Sequence, residues 1–558
     1  MVDGGPIDVL SGDWLAELTM LILAKNRQRD PSTGYARTFV TQMEQVMGDC
    51  LDRGIKVVTN AGGLAPAACA EAVHAVAEKL GLAPTIAYVE GDDLLDRMSE
   101  LRAAGHAFTN LDTGEPLGDQ ELWTANAYLG GWGIADALTR GADIVIAGRV
   151  TDAAVVIGPA AWHHGWARDD WDALAGALVA GHVIECGAQT TGGNYSFFQE
   201  VPGLERPGFP IAEVAADGSS VITKHPGHGG LVSVGTVTAQ LLYEIGGPAY
   251  LNPDVTARFD SIRLEQVGAD RVEISGVVGE PPPPTAKVCI NYEGGYRTTT
   301  TLMLTGLDIE EKASLLERGL WSNILGGRDA FADVTVQLIR SDHDDPASNE
   351  EAVASLRITV KDADERKVGR AFSAALTELA LASYPGYFGG GASTQAYGVY
   401  WPAAIPSDLV WQEVVIGNER TVIESMPAQD LVGPKLVVHA PVRRELGETV
   451  RAPLGRVVGA RSGDKGGNAN VGVWAKTDDA YAWLADLLTV ERFQELLPET
   501  ASLVVDRYDL PNLRALNFVV RGILGEGVAS STRVDGQAKG FGEYLRAKVV
   551  DVPKELLA

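Results

Sequence analysis

The sequence has few cysteines, an acidic charge balance and no long apolar run. Its 4 cysteines include no CxxC pair, so neither a disulfide framework nor zinc-ligand spacing is indicated. They stand singly, at Cys50, Cys69, Cys186 and Cys289. The longest apolar stretch, residues 153–162, is about half of the ~20 residues that a bilayer span needs. The sequence therefore predicts no membrane helix.

Basic residues are outnumbered by acidic ones, with 46 Lys+Arg against 74 Asp+Glu and a formal net charge of −28. A protein this acidic repels phosphate backbones and anionic bilayers, so nucleic acid and membrane are excluded as general partners. The N-terminal stretch MVDGGPIDVL carries acidic residues where a signal peptide needs basic ones, and it lacks an apolar core. We therefore expect a cytoplasmic protein with a small-molecule ligand.

The first 200 residues alternate short β-rich runs with helical patterns, which indicates an α/β fold with a mainly parallel sheet. The predicted strands are Ile7–Leu10, Lys56–Thr59, Thr85–Val89, Asp143–Ala147 and His182–Ile184. The predicted helices are Trp14–Asn26, Pro66–Leu80, Asp92–Ala104, Asn126–Arg140 and Asp152–His163.

From 201 to 442 the pattern predicts an α+β region that completes a first domain, residues 1–442. Its few long helices are expected near Leu231–Ile245, Ile309–Leu325 and Glu365–Ser383. A polar stretch, Arg443–Arg451, is typical of a linker, and residues 452–558 predict a small α+β domain. We expect strands there at Arg456–Ala460, Val471–Ala475, Ser502–Arg507 and Asn517–Gly522, with helices at Asp478–Leu487 and Val490–Leu497.

The ends of the N-terminal strands share glycine and polar side chains. In an open parallel sheet these ends line the crevice where ligands bind, and glycine lets a ligand approach the backbone. The candidate ligand-binding residues there are Asp13, Asn60, Gly62, Gly63, Asp92 and Thr151. Residues 60–66 could offer backbone N–H groups to an anion. The alternative is that glycine and aspartate only turn the chain and cap the next helix.

Two further residues at the fourth strand end are candidate catalytic groups. Arg149 could clamp a carboxylate or phosphate through its planar fork, and Asp152 could act as a base. The alternative is an internal Arg149–Asp152 ion pair that caps the helix.

A dense polar loop begins at Glu185, which is the third catalytic candidate as a general acid or base. Cys186 beside it is a weaker candidate, because a lone cysteine is more often a small buried apolar residue. Gln189 and Asn194 complete the loop as ligand-binding candidates. His225 and His228 could bind a ligand, but no partner at metal-ligand spacing accompanies them, so no metal site is predicted.

In the last segment, a glycine-rich loop between two strands carries Asp464, Lys465 and Asn468. Lys465 among flexible N–H groups predicts an anion-binding nest that Asp464 could orient. A long hairpin with an Asx turn is the alternative.

Four segments resemble motifs of the acyclic terpene utilisation (AtuA) family: TNAGGLAP (59–66), AYLGGWGI (127–134), GRVTD (148–152) and RSGDKGGN (461–468). The resemblance covers nearly the whole chain, and the last motif is similar to that of the family's C-terminal ferredoxin-like domain. The resemblance implies a role in the breakdown of branched acyclic terpenoids through acyl-CoA intermediates, in a setting that also includes biotin-dependent carboxylases. The family supplies no settled reaction, cofactor or catalytic residue.

The start of the chain departs from the family pattern. Similar proteins begin with an extra strand and a G-x-G-x-G-F loop, whereas this sequence opens directly at the segment Val2–Leu10. We therefore expect an incomplete crevice wall and an unpaired strand edge, which favours a homo-oligomer.

These observations lead to one hypothesis and one alternative. The hypothesis is an enzyme of acyclic terpenoid, carboxylic-acid or acyl-CoA catabolism of lyase or hydratase type, which uses Asp152, Glu185 and Arg149. The alternative is a non-catalytic acyl-CoA-binding or accessory protein for a biotin-dependent acyl-CoA carboxylase. The sequence identifies no cofactor for either function.

The linker hypothesis makes a testable prediction. Limited proteolysis should cut within Arg443–Arg451 first and release a C-terminal fragment of about 105 residues, because exposed linkers are preferred cleavage sites. The fragment's mass, measured by mass spectrometry, checks this. First cleavage between Pro202 and Val438 would contradict it.

Overall fold

The computed structural model describes residues 1–426 and 447–557. They fall into two compact units. The first comprises Met1–Asn291, Tyr400–Val528 and Asp535–Ala558, and the second comprises Tyr292–Val399 and Ala529–Val534. No helix in the two described stretches combines the length and apolar character that crossing a membrane requires.

The first 184 residues alternate strands with helices. The strands are β1 (Val9–Gly12), β2 (Lys56–Thr59), β3 (Ile86–Glu90), β4 (Leu122–Ala127) and β5 (Ile144–Ala147). The helices are α1 (Glu17–Arg29), α2 (Arg37–Arg53), α3 (Pro66–Leu80), α4 (Met98–Ala103), α5 (Trp132–Thr139), α6 (Ala154–His164) and α7 (Trp171–Ile184). Local sequence sets several boundaries: Pro66 occupies the first turn of α3, and Gly81 ends it in the left-handed conformation at φ 70°.

Short strands and one helix follow in the first unit. The strands are β6 (Pro210–Val214), β7 (Ser220–Lys224), β8 (Ala249–Leu251), β9 (Thr256–Arg258), β10 (Arg263–Gly268), β11 (Arg271–Ser275) and β12 (Val278–Glu280). The helix is α8 (Val234–Leu241), which begins with a capping box between Ser233 and Thr236.

The second unit is an antiparallel sheet packed with two helices. Its strands are β13 (Thr285–Thr305), β14 (Asp333–Ile339), β15 (Val353–Asp362), β16 (Phe388–Gly389) and β17 (Ser393–Pro406), of which the first and last continue into the first unit. Its helices are α9 (Ile309–Ser322) and α10 (Phe372–Leu379). Leu304, Leu316, Ile358 and Phe372 are fully buried in its core.

The remaining elements return to the first unit. The strands are β18 (Trp411–Ile416), β19 (Glu419–Glu424), β20 (Thr449–Pro453), β21 (Val458–Lys465), β22 (Asn468–Ala475), β23 (Val505–Leu510), β24 (Ala515–Val520) and β25 (Val549–Pro553). The helices are α11 (Asp478–Leu487), α12 (Val490–Leu496) and α13 (Phe541–Arg546). Strands β21–β22–β24–β23 form an antiparallel sheet in that order.

A six-stranded sheet in the order β1–β2–β5–β3–β18–β19 positions the candidate site. The first four strands are parallel, and β18 runs antiparallel to β3. Alternate residues face opposite sides: Val57 and Ile144 pack with α2 and α3, whereas Val58 and Val145 pack with α5 and α6. Because β1, β2, β5 and β3 are parallel, their carboxyl ends meet at one edge. The α/β class and the mainly parallel sheet are thus confirmed.

Several predicted elements differ from those observed. His182–Ile184 is the end of helix α7 and not a strand. The helix is a long run of small and apolar residues that are buried on all sides, so its sequence shows neither the helical nor the strand periodicity of apolar residues. The predicted helix Asn126–Arg140 begins only at Trp132, after strand β4. Helix α2 was not predicted. The glycine-rich loop at 461–470 is a hairpin whose strands pair from Val458 with Ala475 to Lys465 with Asn468.

Most of the predicted linker Arg443–Arg451 lies outside the described residues. Within the described part, Thr449 to Arg451 belong to β20, which pairs with β25.

Helix α7 approaches the turn between β6 and β7 so closely that Gly176 has no room for a side chain. A Cβ there would lie 2.1 Å from the Gly218 carbonyl oxygen. We therefore expect Gly176→Ala to destabilise the protein by about 1–3 kcal/mol through overpacking. Gly48→Ala is the matched control, because the added Cβ meets only Leu82 at 3.9 Å and helical alanine is favoured over glycine. Thermal unfolding should show a lower Tm for the first variant only; equal Tm values would contradict the close packing.

Candidate functional site

Three carboxyl groups converge at the carboxyl edge of the six-stranded sheet. Asp13 follows β1, Asp152 precedes α6, and Glu185 follows α7. One oxygen from each lies within 4.8 Å of the others. Among the residues that the structure describes, this is the one such group of potential metal ligands. We refer to it below as the carboxyl cluster.

Asp13 is held by the loop after β2. The Asn60 side-chain amide donates a hydrogen bond to Asp13 Oδ1, and the Leu15 backbone N–H donates to the same oxygen at 3.3 Å. Asn60 is itself fixed, because its Oδ1 accepts from the Trp14 backbone N–H at 2.7 Å. Burial and the neighbouring Asp152 raise the pKa of Asp13 to about 7, against the opposing effect of Asn60 and Arg149.

Asp152 is paired with Arg149, whose Nη1 lies 3.1 Å from Asp152 Oδ1. The same Nη1 donates to the Leu15 carbonyl at 3.2 Å, and the guanidinium stacks on Tyr128 at 4.2 Å from the ring centre. The Arg149 side chain is only 2% exposed. The internal pair that the sequence left as an alternative is therefore present. Thr151 Oγ1, next to Asp152, is buried without a hydrogen-bond partner.

Glu185 is enclosed, with its side chain 5% exposed against 28% for Asp152. Burial, followed by the charges of Asp152 and Asp13, raises the pKa of Glu185 well above its ordinary range. The nearest titratable side chain on α7 is that of His182, whose Nδ1 lies 3.9 Å from Glu185 Oε1. Burial, aided by Lys465, lowers the pKa of His182 to about 4. A neutral carboxyl beside a neutral imidazole is therefore favoured at neutral pH.

Cys186 is poorly suited to nucleophilic attack. Burial and the adjacent Glu185 raise the pKa of its thiol, and its Sγ lies 4.0 Å from Glu185 Oε1. The reactive thiolate is thus disfavoured.

A second layer of charged groups surrounds Arg149. The Tyr128 hydroxyl donates to Glu17 Oε1 at 2.7 Å, and Lys287 Nζ lies 3.4 Å from the same oxygen. Although burial acts in the opposite direction, Lys287 and Arg149 lower the pKa of Glu17. Glu17 is therefore held as a carboxylate, in contrast to Glu185.

The C-terminal hairpin brings Lys465 and Asp464 to the same region. Lys465 Nζ lies 5.6 Å from the centre of the Tyr250 ring, and the described residues offer it no ion-pair partner within 4 Å. Burial and Lys287 lower its pKa. Burial and Glu17 raise the pKa of Asp464 to about 6, and burial with Asp464 raises that of Glu244.

The other predicted residues are occupied within the fold. In the loop expected to bind an anion, the N–H groups of Ala61, Gly63, Leu64 and Ala65 already donate to chain oxygens. Gly62 is required by packing, since a Cβ there would lie 2.5 Å from the Ala147 carbonyl oxygen. Asp92 accepts from Asn126 Nδ2 at 2.8 Å and from the Arg149 backbone N–H at 3.0 Å.

Three of the remaining candidates, Asn468, Gln189 and His225, also bind protein groups. Asn468 bonds to Asp112 at 2.8 Å, Gln189 accepts from Arg461, and a His225 ring nitrogen lies 2.9 Å from the Met1 carbonyl oxygen. The His225 and His228 rings are 6.5 Å apart, centre to centre. Asn194 adopts a left-handed conformation at φ 64°.

A cleft of about 1260 Å³ in the first unit reaches Asp13 and Glu185. Much of its wall is apolar, formed by residues such as Val155, Val156, Ile184, Phe209, Ile211 and Val214. Asp13 and Glu185 of the carboxyl cluster are therefore accessible to a ligand with an apolar part.

The site includes residues that sequence reasoning missed, namely Glu17, Tyr128, His182, Glu244, Tyr250 and Lys287. Tyr128 stands in the AYLGGWGI motif and Glu17 lies four residues after the candidate Asp13, so proximity to a motif or to a candidate residue was a usable signal for these two. Glu244 and Lys287 lie far along the chain from the N-terminal strand ends that the sequence singled out, and they gave no local signal.

The fold and site define an α/β protein with a buried carboxyl cluster and a ferredoxin-like C-terminal domain. The family model "Acyclic terpene utilisation family protein AtuA" matches residues 1–416, and "AtuA ferredoxin-like domain" matches 452–551. The chain belongs to the AtuA family, which supports a catabolic role in general terms. A search of curated proteins finds no match, and neither does a search of solved structures.

The raised pKa of Glu185 predicts a pH-dependent effect on stability. The folded protein keeps a proton that the unfolded chain releases above a pKa of about 4.3, so Glu185 destabilises the fold increasingly as pH rises. Glu185→Gln removes this cost, which grows by up to about 1.4 kcal/mol per pH unit. We expect a Tm gain at pH 8 that largely disappears at pH 5, measured by differential scanning calorimetry. The exposed Glu265→Gln serves as control, and a pH-independent effect of Glu185→Gln would contradict this prediction.

Proposed function

We propose that the protein is a cytoplasmic enzyme of acyclic terpenoid or branched-chain acyl-CoA and carboxylic-acid breakdown that works by proton transfer, as a lyase or hydratase. The observation that carries this proposal is the carboxyl cluster, in which neighbouring carboxyl groups have contrasting environments at the end of an accessible cleft. Such contrasts separate acid from base among otherwise identical groups.

The surroundings of each group suggest its role. Glu185, enclosed and favoured in its neutral form, is the general acid that protonates a leaving or developing oxygen. Asp152, oriented by Arg149 at 3.1 Å, is the base that removes a proton from carbon next to a carbonyl. Asp13, with its pKa raised to about 7, can exchange protons with either near neutral pH. Arg149 positions Asp152 through Nη1, while its buried Nε has no hydrogen-bond partner.

The cleft and the nearby amine support the substrate class. Apolar residues such as Ile184 and Phe209 line the cleft beside Glu185 and suit a branched hydrocarbon chain. Lys465, which lacks an ion-pair partner among the described residues, suits a carboxylate or thioester oxygen at the polar end of that chain.

The free cysteines support the cytoplasmic setting. All four cysteines are free in the structure. This state suits a reducing compartment, where disulfides are rare.

A substrate screen tests the proposal. Purified protein is incubated with branched acyl-CoA thioesters and the corresponding acids, while thermal stability and product mass are followed. We expect turnover that Asp152→Asn and Glu185→Gln each reduce by about 10²–10⁴, the usual contribution of a general acid or base. The exposed Asp96→Asn is the matched control.

The screen also separates the two functional classes. Thermal stabilisation by an acyl-CoA without any product would contradict the enzyme and favour a binding or accessory protein. Turnover that persists in both cluster variants would contradict the assigned roles.

A further inference from the structure

A second cavity, of about 370 Å³, lies where the loop after α7 faces the C-terminal sheet of the first unit. Its wall includes Asn194 from the loop, and Arg461, Lys539 and Glu543 from the C-terminal domain. No role in the carboxyl cluster accounts for Arg461 or Lys539.

Arg461 is a buried cation without a counter-ion. The residue is only 5% exposed. Its guanidinium donates to the Gln189 amide oxygen and stacks on Tyr243 at 4.2 Å from the ring centre, and both contacts are with neutral groups. Within residues 1–426 and 447–557, no carboxylate lies within ion-pair distance of it. An isolated charge buried in this way is costly unless something else compensates it.

The other charged groups at the cavity are already balanced. Glu543 receives two hydrogen bonds from Arg546 Nη1, each at 2.7 Å, so its carboxylate is neutralised by that residue. Lys539 Nζ lies 3.3 Å from Glu244, 3.7 Å from Asp464 and 4.4 Å from the same Tyr243 ring centre. Among the described charged groups of the cavity wall, Arg461 is therefore the one without an ion-pair partner within 4.0 Å.

We propose that this cavity binds an oxyanion, a phosphate or carboxylate group, through the guanidinium of Arg461 with Lys539 beside it. The planar fork of arginine pairs two N–H donors with two oxygens, which favours oxyanions over halides. Asn194 in the wall adds a polar group of the kind that orients such a ligand. Burial also lowers the pKa of Arg461, against the opposing effect of Cys186 and Glu244.

This inference goes beyond the proposed function and does not depend on it, because it requires only Arg461 and its cavity. It would hold for an oxyanion that belongs to a substrate, such as a nucleotide phosphate, and equally for a separate ligand.

Calorimetric titration with inorganic pyrophosphate, phosphate and glutarate, at ionic strength matched with chloride, tests the proposal. We expect saturable oxyanion binding by the unmodified protein, a Kd raised at least about tenfold in Arg461→Lys, and loss of binding in Arg461→Gln. The matched control is Arg492→Gln, which removes an arginine of the same domain that is paired with Glu495 at 2.7 Å. Tighter binding of pyrophosphate indicates a phosphate site, and tighter binding of glutarate a carboxylate site.

A second measurement needs no variant and so does not depend on folding of the mutants. Phenylglyoxal modifies arginine, and peptide mass mapping reports how fast each arginine reacts. Pyrophosphate or glutarate should slow the modification of Arg461 but not that of Arg492. Equal rates with and without both anions, or equal binding by the wild type and Arg461→Gln, would overturn the proposal. Neither the titration nor the arginine modification depends on turnover, so a negative substrate screen does not affect their outcome.

Discussion

Much of the first unit's site depends on the burial of one guanidinium. Arg149 joins the end of β5 to the start of α6 through Asp152, and to the segment before α1 through the Leu15 carbonyl. Its flat face rests on Tyr128, whose hydroxyl holds Glu17. A charge this enclosed must be matched by several partners at once, which fixes the relative positions of the segments that carry them. The carboxyl cluster is carried by these segments, so the contacts of Arg149 also fix the positions of its members.

The contrast between Glu17 and Glu185 follows from this arrangement. Both are glutamates close to the same guanidinium network, yet Lys287 and Arg149 favour the charged form of Glu17, whereas burial and two aspartates favour the neutral form of Glu185. The site therefore holds a carboxylate and a neutral carboxylic acid at the same time. Groups already set in these charge states need little reorganisation during proton transfer.

The sequence predicted the sheet better than the site. The boundaries of β2 and α3 emerged as expected, because short apolar runs flanked by glycine, proline and charge leave little ambiguity. Convergence of strand ends brought Asp13 and Asp152 together. Glu185 lies at the same place but follows helix α7, whose end the sequence predicted to be a strand. That prediction was wrong because the small residues around it show no apolar periodicity. Lys287 and Glu244 depend on contacts between distant parts of the chain, which a single sequence does not encode locally.

The C-terminal sheet also completes a hydrophobic core that begins much earlier in the chain. Trp474, Leu510 and Leu513 are buried in the same cluster as Leu178 of α7 and Val237 of α8. During synthesis, α7 and α8 leave the ribosome more than 200 residues before Trp474. At about 5–20 residues per second, that gap lasts on the order of ten seconds or more. Throughout this interval the nascent chain exposes an unfinished apolar surface, so its folding in the cell is an expected point of chaperone dependence.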